Sequence, residues 1–392
     1  MAADIPTSPP AGTPPAPSRI LLPGRLTSLD ALRGFDMLWI LGADSIGVAM
    51  EGLKAGPFMA AVAAQLNHEP WQGFRFYDLI FPLFVFMIGV SLVFSLTRIV
   101  AREGKDRAVQ RIVMRSALLY VLGVLVYNAD HSQFLWKTAA DIRLLGVLQR
   151  LALCYLMAGL LFVFCRTRTL VILTAVILIG YWALLTFVPA PGQGVVSWEE
   201  GKNIVNWFDS RYLPWRKWDG THDPEGILST FPAVASCLLG VFAGRWMIRP
   251  EIPDTRKALG LVLAGITLLV AGYAWGAASP IIKKLWTSPY VLVAGGWSLL
   301  LFALFFWVID ILGWSRWAQP FVWIGMNPIA LYLLVHIANF DAISRTVVGG
   351  PVESHFDTWI PGLGTVVVAV TGILLCVALA RLLYVKKLFI RL

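Results

Sequence analysis

Runs of about twenty mostly apolar residues, all but the first nearly free of charge, recur along this chain and leave it few folds to choose from. Such runs fall at 30–50, 76–97, 112–128, 144–165, 170–188, 228–248, 258–277, 290–312, 320–340 and 361–384. A helix of that length crosses a hydrocarbon layer of about 30 Å. In lipid only helices and closed barrels satisfy their own backbone groups, and runs this long specify helices. The expected fold is therefore all-α, a polytopic membrane helix bundle of about ten transmembrane helices. Composition agrees, with 58% hydrophobic and 14% charged residues, where a soluble domain carries about 25% charged.

A net charge of +9 raises the question of nucleic acid. The basic residues instead sit between alternate runs: Arg98, Arg102, Lys105, Arg107 and Arg111, then Arg166 and Arg168, then Arg249, Arg256 and Lys257, then Arg316, then Lys386, Lys387 and Arg391. That asymmetry follows the positive-inside rule and puts both termini in the cytoplasm. It absorbs the excess charge, so no nucleic-acid partner is expected. Residues 1–24, rich in Pro, Ala and Ser, lack the basic start and apolar stretch of a signal peptide. They are expected to be a disordered cytoplasmic tail, with 25–392 forming the membrane domain. Its longest outer segment is a periplasmic loop at 189–227, where Trp198, Trp207, Trp215 and Trp218 form either an aromatic belt or a platform for sugar rings. The four cysteines lie in apolar runs without metal-ligand spacing, so no metal is expected.

Within the spans stand Asp30, Arg33, Asp36, Asp44, Asp78, Arg115, Arg150 and His336. Each costs about 2.5–3.5 kcal/mol on insertion scales and marks the bundle interior. Asp30 and Arg33 share a helix face and can pair; Asp30 also reads as a helix-start residue, with Ser28 as its cap. His68 is either a loop histidine at the membrane surface or a base near neutral pH. Asp78, ten residues on, can hold its imidazole in one tautomer. Gln149 and Arg150 offer many donors, either to a ligand or in a structural pair with Asp78 or Asp44. Asp223 and Glu225 open a span, where the helix dipole favours carboxylates; alternatively they form a rim that recognises an ammonium. Pro328 breaks the ninth span, and Asn327 beside it lines a cavity or a plain kink.

Seven stretches also resemble, in order, the transmembrane acetyltransferase family of heparan-α-glucosaminide N-acetyltransferase and its bacterial relatives. They are Ser28 to Gly34, His68 to Gly73, Asp78 to Pro82 running on to Gly89–Ser91, Gly146 to Arg150, Asp223 to Gly226, Leu285-Trp286, and Gly325 to Asn327. The resemblance implies transfer of an acetyl group from cytoplasmic acetyl-CoA to the amino group of glucosamine, or of a glucosamine-ended glycan, on the far side. Carried onto this chain it makes His68 the active histidine and Asp78 its acidic neighbour. The expected cofactor-binding residues are Arg33, Arg115, Arg150, Gln149 and Asn327. The expected substrate-binding residues are Asp44, Trp71, Asp223, Glu225 and His336. The linker between the first two spans departs from the eukaryotic pattern. The expected acceptor is therefore an amino sugar or a cell-envelope glycan rather than heparan sulfate. The expected location is a bacterial inner membrane, with lipid as partner and a homodimer left open. The rival reading is an N-acetylglucosamine-type transporter using the same cavity.

Overall fold

A computed structural model describes residues 26–53, 56–128, 141–338 and 340–388, so the 1–24 tail lies outside the described residues. The bundle is all-α. Among the described residues, eight helices are long and apolar enough to cross a membrane, and nine if one bent pair counts as a single span. The chain runs α1 (Thr27–Glu51), α2 (Pro57–Gln65), α3 (Ile80–Glu103), α4 (Lys105–Asn128), α5 (Val147–Phe164), α6 (Thr167–Phe187), α7 (Ile204–Tyr212), α8 (Thr230–Met247), α9 (Asp254–Gly276) and α10 (Ser288–Phe305). It ends with α11 (Gln319–Gly325), α12 (Pro328–Ala338), α13 (Phe340–Val348), α14 (Pro351–Asp357) and α15 (Leu363–Val385). The short α2 and α7, and the pair α13 and α14, belong to connections between the long helices.

The charged first run forms α1, a single helix of 25 residues, about 37 Å long at 1.5 Å per residue. Its charges are tolerated because it packs inside the bundle, against α11, α15, α3 and α10. Contact with α11 is backbone to backbone. A Cβ on Gly34 would meet the Phe321 carbonyl oxygen at 1.7 Å, and one on Gly325 would meet the Asp30 carbonyl oxygen at 1.9 Å. Gly89 on α3 and Gly240 on α8 make the second such seam, against the Cys237 and Phe86 carbonyls. Small residues that let backbones close up are the usual device of helix packing in lipid, where hydrophobicity gives no help.

Two sequence expectations are sharpened here. The ninth span is broken as Pro328 demanded: Arg316–Gly325 and Pro328–Val335 meet at a 68° bend. The cap of α1 is not Ser28, which lies within the helix. The carboxylate of Asp310 accepts the Ser28 N–H at 3.2 Å instead. A π-helical turn at Phe306–Ile311, closing α10, carries that aspartate. The N-terminal N–H groups of a helix need an acceptor, and a distant side chain serves as well as a local one.

Candidate active site

The 3-10 turn Phe76–Leu79 leads directly into α3 and fixes the first group of residues. Asp78, fully buried, accepts backbone N–H bonds from Arg75 at 3.0 Å and Glu69 at 3.2 Å through Oδ2. That locks the carboxylate and leaves Oδ1 free to face His68, whose Nδ1 lies 2.9 Å away. A carboxylate only accepts, so the proton of the neutral ring belongs on Nδ1, and Nε2 keeps its lone pair. The imidazole, 49% exposed, lies tilted by 45° against Tyr77, 4.6 Å between centroids. Spacing alone left two readings of His68, and the geometry brings its ring within hydrogen-bond distance of Asp78.

A third group was not found from sequence. Lys283, 215 residues further on, places Nζ 2.8 Å from Nδ1 and 3.0 Å from Nε2 of His68. The same nitrogen is 3.6 Å from Asp78 Oδ1. Its segment docks through an antiparallel bridge between Gln72 and Ile282, with the Gly73 N–H donating to the Ile281 carbonyl at 2.9 Å. The only hint in the sequence was its place two residues before Leu285-Trp286, a stretch already singled out.

Beside this lies a buried ionic cluster. Arg143 forks onto Asp223, with Nε to Oδ2 at 2.8 Å and Nη2 to Oδ1 at 2.6 Å, and reaches Glu225 at 2.5 Å. Asp223 and Glu225, expected at an acceptor rim, are thus brought together by an arginine that sequence reasoning passed over. Burial raises the Glu225 carboxyl above its ordinary value, against the pull of Arg150 and Arg143. Asp209 of α7 sits alongside, accepting the Ile227 N–H at 2.9 Å. Burial pushes its carboxyl up to about 6 despite that hydrogen bond. Trp71 is tied to the 189–227 loop, its indole donating to the Trp198 carbonyl at 2.9 Å.

Arg150 turns to groups other than Asp78. It is fully buried, donates to the Gly226 carbonyl and the Ser229 hydroxyl, and lies 5.0 Å over the Trp286 ring. Trp286 in turn meets Phe81 edge-on at 5.3 Å. Four residues after it on α3, Val85 is one helical turn deeper in the core. The correction has a simple cause: Asp78 is already satisfied by two backbone N–H groups, His68 and Lys283, and a guanidinium needs carbonyl and hydroxyl acceptors elsewhere. Gln149 lies fully buried against Gly123 of α4. Neither Gln149 nor Arg150 lines the cavity that holds Arg33 and Arg115.

That cavity, about 480 Å³, opens at the other end of α3. Arg33, Arg98 and Arg115 line it with a single carboxylate, Asp30, and with Ser91, Tyr155 and Met326 among the other walls. Arg33 pairs with Asp30 at 3.4 Å, as their spacing required, and donates to Ser91 at 2.6 Å and to the Gly325 carbonyl at 3.4 Å. Arg115 lies 4.8 Å over the Tyr155 ring. Asn327 stands between two lining residues, Met326 and Pro328, and its amide donates to the Leu388 carbonyl at 2.9 Å. A narrow apolar void of about 10 Å³ continues inward past Phe84, Leu151 and Ile329, which line both spaces, and ends at Phe81, Met37 and Tyr332. Arg98 and Asp78 are twenty residues apart along one helix, about 30 Å at 1.5 Å per residue. The void stops at Phe81, three residues short of Asp78, and at about 10 Å³ it is no roomier than a single water needs. The side chains of Asp44 and His336 lie outside the described residues.

Glu200, Asp219 and His222 bring three ligand-type atoms within 4.8 Å of one another, the one such group among the described residues. Lys284 closes it, with Nζ 2.6 Å from Glu200 and 3.1 Å from Asp219. Burial raises the Glu200 carboxyl, but Lys284 and His222 outweigh it and hold the group below its ordinary value. This is an ion-pair network with its cation supplied by the chain.

Comparison with known proteins places these residues in context. Residues 25–271 match the family described as "Heparan-alpha-glucosaminide N-acetyltransferase, catalytic". Among curated proteins, the chain is 27% identical to heparan-alpha-glucosaminide N-acetyltransferase of Mus musculus over 328 residues, 68% of this chain and 48% of that protein. It is 26% identical to the Homo sapiens protein of the same name over 370 residues, 80% of this chain and 53% of the relative. The chain spans about half the length of these relatives.

Proposed function

This chain belongs to the catalytic family of heparan-α-glucosaminide N-acetyltransferase, and from that premise we propose that it moves an acetyl group across a bacterial inner membrane. The donor is acetyl-CoA, entering from the cytoplasmic, arginine-lined end. The acceptor is the amine of glucosamine, or of a glucosamine-ended glycan, at the periplasmic His68 end.

One observation carries the reading: the two ends of the span that begins at Phe76, with His68 Nδ1 2.9 Å from the Asp78 carboxylate at one end and a cationic cavity at the other. Three arginines against one aspartate suit the phosphates of CoA. The walls at Phe84, Leu151 and Ile329 suit a flexible, largely uncharged arm reaching toward Phe81. At the far end, Nε2 of His68 takes a proton from the sugar ammonium, which passes to solvent through the exposed face of the ring. The free amine then attacks the thioester carbonyl. The carbon–sulfur bond breaks, and the second amine proton travels through His68 to the leaving thiolate. Asp78 holds the ring and stabilises the imidazolium formed on the way. An acetyl group carried briefly on Nε2 uses the same atoms, with the thiolate leaving before the amine attacks.

Purified protein incubated with acetyl-CoA and glucosamine tests this. N-acetylglucosamine and free thiol should appear in equal amounts, and His68→Ala should abolish both. Undiminished transfer by His68→Ala overturns the assignment. Uptake of amino sugar into proteoliposomes without acetyl-CoA, coupled with no measurable CoA binding, would instead support transport.

A further inference from the structure

We propose that Lys283 occupies the place of the acceptor's amine and is itself acetylated there when no amino sugar is bound. The inference rests on the acetyl-transfer reading above. An acceptor of that reaction must present a primary ammonium to the Nε2 lone pair of His68, close to the charge of Asp78. The chain brings one of its own against the ring, 3.0 Å from Nε2, 2.8 Å from Nδ1 and 3.6 Å from Asp78 Oδ1, within one side-chain rotation of that lone pair. Its chemistry, a primary amine on an alkyl carbon, is that of the expected acceptor.

The position is built. Ile282 and Ile281 are tied to the His68 loop by the bridge to Gln72 and the bond from Gly73. Thr287 closes the turn from behind, its hydroxyl accepting the Ile282 N–H at 3.1 Å and donating to the Pro280 carbonyl at 3.0 Å. Trp286, fully buried, holds the turn with φ at +54°, a conformation costly for any residue but glycine. The other charges around the ring are the Glu69–Arg75 pair at 2.5 Å, with Arg75 also donating to the His68 carbonyl, and Glu225, which feels the charge of Lys283.

The next residue supplies a control within the molecule. Lys284 is turned to the other side of the segment and bound by Glu200 and Asp219. Two adjacent lysines thus differ in one respect that matters: only Lys283 faces the histidine. The reaction balances as it does for a sugar. His68 removes a proton from the Lys283 ammonium, the amine attacks the thioester carbonyl, the carbon–sulfur bond breaks, and the remaining proton goes to the thiolate. The product is an uncharged acetamide that fills the acceptor's place and is not hydrolysed under these conditions. The enzyme would in this way silence itself when donor is plentiful and acceptor scarce.

The test uses the full-length protein in detergent, with acetyl-CoA and no added amine, followed by chymotryptic peptide mapping. One acetyl group is expected on Lys283 and none on Lys284. Glucosamine should protect the site, and His68→Ala should slow the modification by about 10²-fold. Enzyme pre-incubated with donor alone should lose activity toward glucosamine in step with the fraction modified. If glucosamine is acetylated while Lys283 stays unmodified, the inference falls and the transferase reading stands. Equal labelling of Lys283 and Lys284, insensitive to His68→Ala, overturns it in the same way. If neither glucosamine nor Lys283 is acetylated, the transferase reading fails and takes the inference with it.

Discussion

Around His68, cations and anions interleave at contact distance, with Asp78, Lys283, Arg75, Glu69, Arg143, Asp223 and Glu225 engaged in bonds to one another or to the backbone. In the cavity at the other end of α3, three arginines face one aspartate across about 480 Å³ of open space. The difference separates two tasks. Matched charges in contact hold one geometry, which proton transfer at a defined atom requires. Excess charge around a void is a standing attraction for an anion that the protein does not itself supply.

The largest expected effect falls on the first region. His68→Ala should lower acetyl transfer by about 10³-fold while leaving the CoA dissociation constant, measured by calorimetry, within experimental error of wild type. A parallel loss of CoA affinity would erase the division. Next comes Arg143→Met, which strands Asp223 and Glu225 as buried charges. Breaking such a pair should destabilise the protein by about 3–5 kcal/mol, read as a fall in the melting temperature of the solubilised protein.

Asp209 gives a pH-dependent test of the same cluster. Its carboxyl is raised to about 6 in the folded protein from an ordinary value of 3.8. A raised carboxyl binds its proton more tightly when folded, so stability falls as pH rises between those two values. Above about pH 6 the ionised group costs about 3 kcal/mol. Asp209→Asn keeps an oxygen for the Ile227 N–H and should flatten the decline of melting temperature between pH 4 and 7. An unchanged slope would mean another group titrates.

The smallest effect belongs to the cavity. Arg33→Ala should weaken CoA binding by about tenfold, the worth of one charge-assisted hydrogen bond, and more so at low salt. The pH dependence of turnover should not move. If it does, the two regions are not separate.

Much of this was legible in the sequence because it was local. Apolar runs marked the helices and Pro328 the broken span, and the family resemblance singled out His68 and Asp78, which spacing alone had left open. Asp30 and Arg33 declared themselves as neighbours on one helix face. What stayed hidden was contact between segments far apart in the chain. Lys283 and Arg143 lie in short connections that read as outer segments poor in positive charge, and nothing periodic marks a side chain that folds back over a loop. Arg150 was visible, but its partners were not. Its Nη2 donates to a carbonyl and a hydroxyl, acceptors to which sequence draws no attention.

The cap of α1 has a consequence for how the protein is made. Helix α1, with Asp30, Arg33, Asp36 and Asp44, is synthesised before the helices it packs against. Its N-terminal acceptor, Asp310, is 282 residues downstream of Ser28, and Gly325, which meets its backbone, follows later still. Until those residues emerge, the first helix lacks the surface it is shaped for. Its final placement waits on those residues, and the arginine-lined cavity it helps to wall is closed only when the segment Gly325 to Ile329 arrives.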